Sequence, residues 1–147
     1  MTITGLDVFD RTVHETNAWL KALMEKLRTD DRRIAYFALR ASLHALRDRI
    51  GPANAVHFGA QLPTLIRGIY YEGWRMAATP TRERHKDLFI EHVRGELNGR
   101  TDIDAEAAVR AVFEVMWEHI DAGEISKLIN MFPIELRELW PRLAQSD

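Results

Sequence analysis

Two stretches decide the fold: LPTLIRGIY at residues 62–70 and FPIELRELW at residues 132–140. Each has a proline in second position and an arginine four residues after it. Their apolar residues recur at three- and four-residue spacing, which is the pattern of an amphipathic helix that opens at the proline. The use of one pattern twice predicts an internal repeat.

When the sequence is aligned with itself so that Leu62 matches Phe132, the rest of the chain aligns at the same offset without a gap. We call this offset the repeat shift. Apolar positions match in three further segments, namely Trp19, Leu20, Leu23 and Leu27 with Phe89, Ile90, Val93 and Leu97; Leu39, Leu43, Leu46 and Ile50 with Val109, Phe113, Met116 and Ile120; and Ala55, Phe58 and Leu62 with Ile125, Leu128 and Phe132. We therefore expect a single compact domain over residues 1–147, with unit one at about 6–78 and unit two at about 81–145. The segment Thr79-Pro80-Thr81 is the predicted linker.

Every well-defined segment has helical period, and none shows the alternation of a strand. In unit one, helices are predicted from Leu6 to Leu27, up to Gly51, from Pro52 through Leu62, and from Pro63 to Gly73, and Thr81 is the expected N-cap of the next helix. Two units that each present an apolar face favour mutual covering. The predicted fold class is all-α: a compact bundle of about eight helices from two pseudo-twofold-related units.

The composition is that of a globular protein. Of 147 residues, 46% are hydrophobic and 29% charged, and the chain has no cysteine, which excludes disulfides and thiolate metal sites. The N-terminal residues are acidic and helix-patterned, unlike a signal peptide, and no apolar run is long enough for a bilayer. These features predict a cytoplasmic location and no membrane association.

The small net charge of −2 conceals an asymmetry along the chain. Residues 32–86 contain ten Lys or Arg and three acidic residues, a net +7, whereas residues 87–147 have a net charge of −7. The two segments are expected to attract each other within one molecule or between molecules, or the basic segment is expected to bind an acidic partner.

The segment ALRDRIGPANAVHFGAQLPTLIRGIYYEGW, residues 45–74, resembles a bacterial family known as domain of unknown function 2267. The resemblance extends to GEISKLINMFPIELRELWP, residues 123–141, so it includes most of the chain. It implies a small all-helical protein in a bacterial setting and carries no mechanism with it.

No motif for catalysis, a metal or a cofactor is present in the sequence. His14-Glu15 begins like a zinc-protease motif but lacks the second histidine, and no glutamate has a histidine three residues later. The serines lie outside any nucleophile-elbow pattern, and glycine-rich phosphate loops are missing. We therefore expect no catalytic residue, no metal ligand and no cofactor, and a non-enzymatic role.

Two sets of residues are singled out by the repeat. Pro63, Arg67, Pro133 and Arg137 occur in both units and are interpreted as structural anchors. The candidate binding surface consists of Arg33 and Arg47, which share a helical stripe with Arg40, and of Tyr71, Trp74 and Arg75, where the two aromatic residues have no counterpart in unit two. Solvated helix flanks and closure of the seam between the units are the structural alternatives.

Three functions remain open from the sequence. The preferred hypothesis is a helical protein-interaction module that binds an unknown protein partner or itself. The first alternative is nucleic-acid binding through basic segment 32–86, with Tyr71 and Trp74 stacking on bases. The second is a small-ligand-binding protein or enzyme with a pocket between the two units, because apolar pockets leave no motif.

Overall fold

The computed structural model describes residues 2–145, and within that range the chain has eight α-helices, two 3-10 helices and no strand. The α-helices are α1 (Asp7–Leu27), α2 (Arg32–Ile50), α3 (Pro52–Gly59), α4 (Thr64–Tyr71), α5 (Lys86–Glu96), α6 (Ala105–His119), α7 (Ala122–Asn130) and α8 (Arg142–Gln145). The 3-10 helices are Met76–Ala78 and Ile134–Leu139. The all-α prediction is confirmed.

Local sequence explains where the main helices begin and end. Asp31, Asp104 and Asp121 cap α2, α6 and α7, because each carboxylate accepts hydrogen bonds from backbone N–H groups of the first helical turn. Gly51 ends α2 at φ 87°, a left-handed conformation that glycine adopts without steric cost, and Pro52 then opens α3.

Helix α2 lies at the centre of the bundle, packed against α1, α3, α4, α5 and α6. Four alanines on α2, namely Ala35, Ala38, Ala41 and Ala45, are fully buried and allow neighbouring helices to approach closely. In the second half of the chain, Phe113 and Trp140 stack with ring centroids 4.0 Å apart. Because α2 is enclosed on most sides, any polar side chain on it must find a partner within the protein.

The order of elements is the one that the predicted repeat requires. Under the repeat shift, α2 corresponds to α6, α3 to α7, and α4 to the 3-10 helix Ile134–Leu139. Packing is reciprocal as well, since α2 contacts α5 and α6 contacts α1. The pseudo-twofold relation between the units stays a prediction, which this order supports.

Two local expectations were wrong. Thr81 does not cap the next helix: α5 begins at Lys86 after His85, while the Thr81 backbone N–H donates to the Asp48 carbonyl oxygen and the Thr81 hydroxyl to Glu83. Helix α3 stops at Gly59 and not at Leu62. At Thr81 a tertiary hydrogen bond replaces the expected cap, whereas after Gly59 the backbone N–H groups of Gln61 and Leu62 form turn hydrogen bonds to the carbonyl oxygens of Phe58 and Gly59.

No helix in the described range combines the length and apolar character that a membrane span requires.

Candidate functional site

A polar pocket of about 210 Å³ lies where α2 packs against α5. We call it the α2–α5 pocket. Its walls are formed by Arg40, His44, Arg47 and Asp48 from α2, His92 and Glu96 from α5, and Glu72, Gly73, Arg75, Ala78, Thr79 and Thr81 from the segment that connects α4 to α5.

Helical spacing gathers these polar side chains. His44, Arg47 and Asp48 are three and four residues apart on α2, so they share a face, and His92 and Glu96 are one turn apart on α5. His44 and Arg47 are only 2% and 3% exposed. Polar groups buried to this extent are stable only when they are hydrogen-bonded.

The guanidinium of Arg47 donates hydrogen bonds to three acceptors. Its Nε donates to Asp48 Oδ1 at 2.9 Å, and its Nη1 donates to the carbonyl oxygens of Tyr70 at 2.8 Å and Glu72 at 3.0 Å. Those two carbonyls are at the C-terminal end of α4, where a helix leaves acceptors unpaired and favours a positive charge. Arg47 therefore joins α4 to α2 and occupies Asp48 Oδ1, so that Asp48 Oδ2 is the carboxylate oxygen that faces His92.

His44 bridges α4 and α5. Its Nε2 lies 2.8 Å from the Ile69 carbonyl oxygen, and its Nδ1 lies 3.2 Å from Glu96 Oε1. The ring therefore connects the C-terminal part of α4 to the last turn of α5. The hydrogen bond from His44 holds the pKa of Glu96 below its usual value despite partial burial.

His92 is surrounded by three carboxylates. Its Nδ1 is 2.9 Å from Glu83 Oε1, and its Nε2 is 3.4 Å from Asp48 Oδ2 and 3.9 Å from Glu96 Oε2. Hydrogen bonds to Asp48 and Glu83 outweigh burial and raise the pKa of His92 to about 9. Burial acts to raise the pKa of Asp48, but hydrogen bonds from His92 and Arg47 reverse this and lower it.

The arrangement has the chemistry of a cation site. Asp48, His92 and Glu96 each offer one ligating atom, and these atoms lie within 4.8 Å of one another. The sequence predicted no metal ligand, because these residues come from two helices and match no linear motif. The one local signal was the four-residue spacing of His92 and Glu96, which places both on one helix face.

The residues of the candidate binding surface differ in their exposure to solvent. Arg33 and Arg75 are exposed, and Arg75 lines the α2–α5 pocket. Arg47 lines it too but is buried, so it offers no open cationic surface. Tyr71 and Trp74 are partly buried and stack at a centroid distance of 5.6 Å, in line with the alternative that they close a seam.

Tyr71 packs over Gly59, the last residue of α3. A Cβ added at Gly59 would overlap the Tyr71 hydroxyl and lie 2.8 Å from Tyr71 Cζ. The missing side chain therefore lets the aromatic ring pack closely on α3.

Arg40, which shares the predicted stripe with Arg33 and Arg47, donates from Nε to Glu72 Oε1 at 2.9 Å.

The predicted anchors make equivalent bonds. Arg67, which follows Pro63, donates to the carbonyl oxygens of Ala60 at 3.3 Å and Leu62 at 2.8 Å. Arg137, which follows Pro133, donates to those of Asn130 at 3.3 Å and Phe132 at 2.9 Å. The repeat shift places the first pair of acceptors on the second pair. Their role as anchors of a repeat stays a prediction, which these bonds support.

The sequence profile of one protein family, described as uncharacterized conserved protein (DUF2267), matches residues 16–139. This match confirms the resemblance found in the sequence. No curated protein matches the chain.

Proposed function

The chain belongs to this family of uncharacterized conserved proteins, and from the geometry of its α2–α5 pocket we propose that it is a binding domain for a small polar ligand. The observation that carries the proposal is the convergence of buried and partly buried polar side chains on one open cavity. His44, Arg47, Asp48, His92 and Glu96 all reach the same pocket of about 210 Å³.

Burial of charge is unfavourable unless pairing and hydrogen bonds offset it. Here the paired side chains also border an opening of about 210 Å³ that is accessible to solvent. That size suits an ion with its waters or a small polar molecule. The pocket also lies between α2 and α5, which belong to different predicted units, as the ligand-binding alternative expects.

The other two hypotheses stay predictions. For the interaction-module hypothesis, Arg47 cannot belong to an exposed binding surface, because its side chain is buried. For nucleic-acid binding, several basic side chains of segment 32–86 are already paired within the protein. Arg40 pairs with Glu72, and Lys86 pairs with Glu138 at 3.0 Å. Arg49 Nε donates to the Glu83 carbonyl oxygen at 2.7 Å. The bacterial setting and the cytoplasmic location also stay predictions.

Mass spectrometry under non-denaturing conditions tests the proposal. Gently purified protein is expected to carry bound mass that disappears on denaturation. Ala78→Trp should block the pocket, since Ala78 lines it in an exposed position, and should abolish the bound mass. Ala77→Trp is the matched control, because Ala77 is exposed in the same 3-10 helix but does not line the pocket. Wild-type protein without bound mass, or equal retention by Ala78→Trp, would contradict the proposal.

A further inference from the structure

Three side chains of the α2–α5 pocket direct their ligating atoms at one point. Asp48 Oδ2 and Glu96 Oε2 lie 3.4 and 3.9 Å from His92 Nε2. We infer that Asp48, His92 and Glu96 bind a divalent first-row transition-metal cation. The inference rests on the proposed function, because it names the class of ligand that the same pocket binds.

The distances from His92 Nε2 to the two carboxylate oxygens fit a cation with little rearrangement. Imidazole nitrogen and carboxylate oxygen ligands lie about 2.0–2.2 Å from Zn²⁺, so two ligands in a tetrahedral site are about 3.4 Å apart. The Asp48–His92 separation of 3.4 Å already has this value. Glu96 is one turn from His92 on α5, and a side-chain adjustment of about half an ångström brings its oxygen to the same separation.

Each ligand is oriented through its other polar atom. Glu83 Oε1 holds His92 Nδ1 at 2.9 Å, Arg47 Nε holds Asp48 Oδ1 at 2.9 Å, and His44 Nδ1 holds Glu96 Oε1 at 3.2 Å. The three atoms that face the common point, His92 Nε2, Asp48 Oδ2 and Glu96 Oε2, are therefore not the atoms that bind these partners. A carboxylate that binds the far nitrogen of a ligating histidine is the usual outer partner in metal sites, where it fixes the tautomer and the ring orientation.

A metal ion binds the neutral imidazole of His92, because only an unprotonated nitrogen has a lone pair for coordination. Any proton on Nε2 leaves to solvent through the open pocket.

The ligand set selects the class of cation. Mg²⁺ and Ca²⁺ prefer sites made only of oxygen, whereas one imidazole with two carboxylates suits Zn²⁺, Co²⁺ or Mn²⁺. Three protein ligands leave a fourth position open, which is the arrangement of sites that keep a water or an exchangeable ligand on the metal. Thr79, Thr81 and Arg75 border the same cavity.

Calorimetric titration of the chelator-treated full chain with Zn²⁺, and visible absorption of the same protein with Co²⁺, test the inference. Wild type should bind one cation per chain, with much weaker binding of Mg²⁺. His92→Ala, Asp48→Asn and Glu96→Gln should each weaken Zn²⁺ binding at least 100-fold. His57→Ala is the matched control: it removes a half-exposed histidine, 3.2 Å from Glu124, and should leave binding unchanged.

Glu83→Gln tests the positioning role of Glu83. It should weaken Zn²⁺ binding about 10- to 100-fold, keep one site per chain and change the Co²⁺ absorption spectrum. If His92→Ala fails to fold by circular dichroism, the near-isosteric Glu96→Gln and Asp48→Asn decide. The inference is overturned if wild type binds no stoichiometric Zn²⁺ or Co²⁺, or if Glu96→Gln or Asp48→Asn binds as tightly as wild type. A non-metal ligand retained by wild type and lost in Ala78→Trp would overturn the metal assignment while leaving the proposed function intact.

Discussion

Two sites that the repeat shift relates to each other treat one position in opposite ways. In the first site, His44 and Asp48 on α2 face Glu96 on α5. The repeat shift matches these three residues to Glu114 and Glu118 on α6 and to Lys26 on α1. Lys26 Nζ lies 2.7 Å from Glu114 and 2.9 Å from Glu118, so a built-in ammonium bridges the two acids.

The difference identifies what the first site lacks, namely a cation supplied by a lysine of the chain. Carboxylates that share a site need a cation between them, because like charges at such distances repel. The Lys26 site supplies its cation from the chain and is complete. The Asp48–Glu96 site relies on His92, which releases its proton far more readily than a lysine does, and it opens on the α2–α5 pocket. One site is closed by its own charge, and the other is built so that a cation can be exchanged.

The largest expected effect separates the buried arginine of the first half from a surface arginine of the second. Arg47→Met leaves Asp48 Oδ1 and the carbonyls of Tyr70 and Glu72 without the donor that Arg47 supplies, so the free energy of unfolding should fall by about 3–5 kcal/mol. Arg110→Met is the matched control, since the side chain of Arg110 is 40% exposed in its pair with Glu138, and should lower it by less than about 1 kcal/mol. Urea unfolding measures both. Equal effects would remove the distinction between the two regions.

The next effect concerns pH. The pKa of His92 is about 9 in the folded protein and 6.5 in its unperturbed state, so the contribution of His92 is complete below pH 6.5 and is lost as pH rises to 9. The free energy of unfolding of chelator-treated protein should fall across this window by on the order of 1–3 kcal/mol.

His92→Gln should flatten that pH dependence. The Lys26 site should contribute nothing to it, because hydrogen bonds to Glu114 and Glu118 outweigh burial and raise the pKa of Lys26 further above 10.5. Urea unfolding at several pH values is the measurement. A slope that persists in His92→Gln would assign the titration to another group.

The smallest effect tests the Lys26 site itself. Lys26→Met removes the ammonium and leaves Glu114 and Glu118 repelling each other one turn apart on α6, so the free energy of unfolding should fall by about 1 kcal/mol. The loss should shrink at high salt, because the remaining repulsion is screened. Thermal unfolding at two ionic strengths measures it. A loss that does not respond to salt would mean that packing of the lysine chain, and not its charge, matters here.

Sequence periodicity predicted the helices because glycine, proline and aspartate mark their ends locally. These local signals could not predict the α2–α5 pocket, since Asp48 and His92 meet only after α2 packs on α5. Arg47 shows the same limit: Arg33, Arg40 and Arg47 recur every seven residues, which predicted a surface stripe, yet the enclosure of α2 buries Arg47. Tertiary packing overrides a local pattern wherever a helix is covered on most faces.

A crystal structure of the protein grown with Zn²⁺, with anomalous diffraction recorded on both sides of the zinc absorption edge, tests the central claim most directly. We expect one anomalous peak within about 2.2 Å of Asp48, His92 and Glu96, and none between Lys26 and Glu118. A crystal in which zinc occupies only a surface pair such as His57 and Glu124, with the α2–α5 pocket holding no anomalous peak, would contradict the claim.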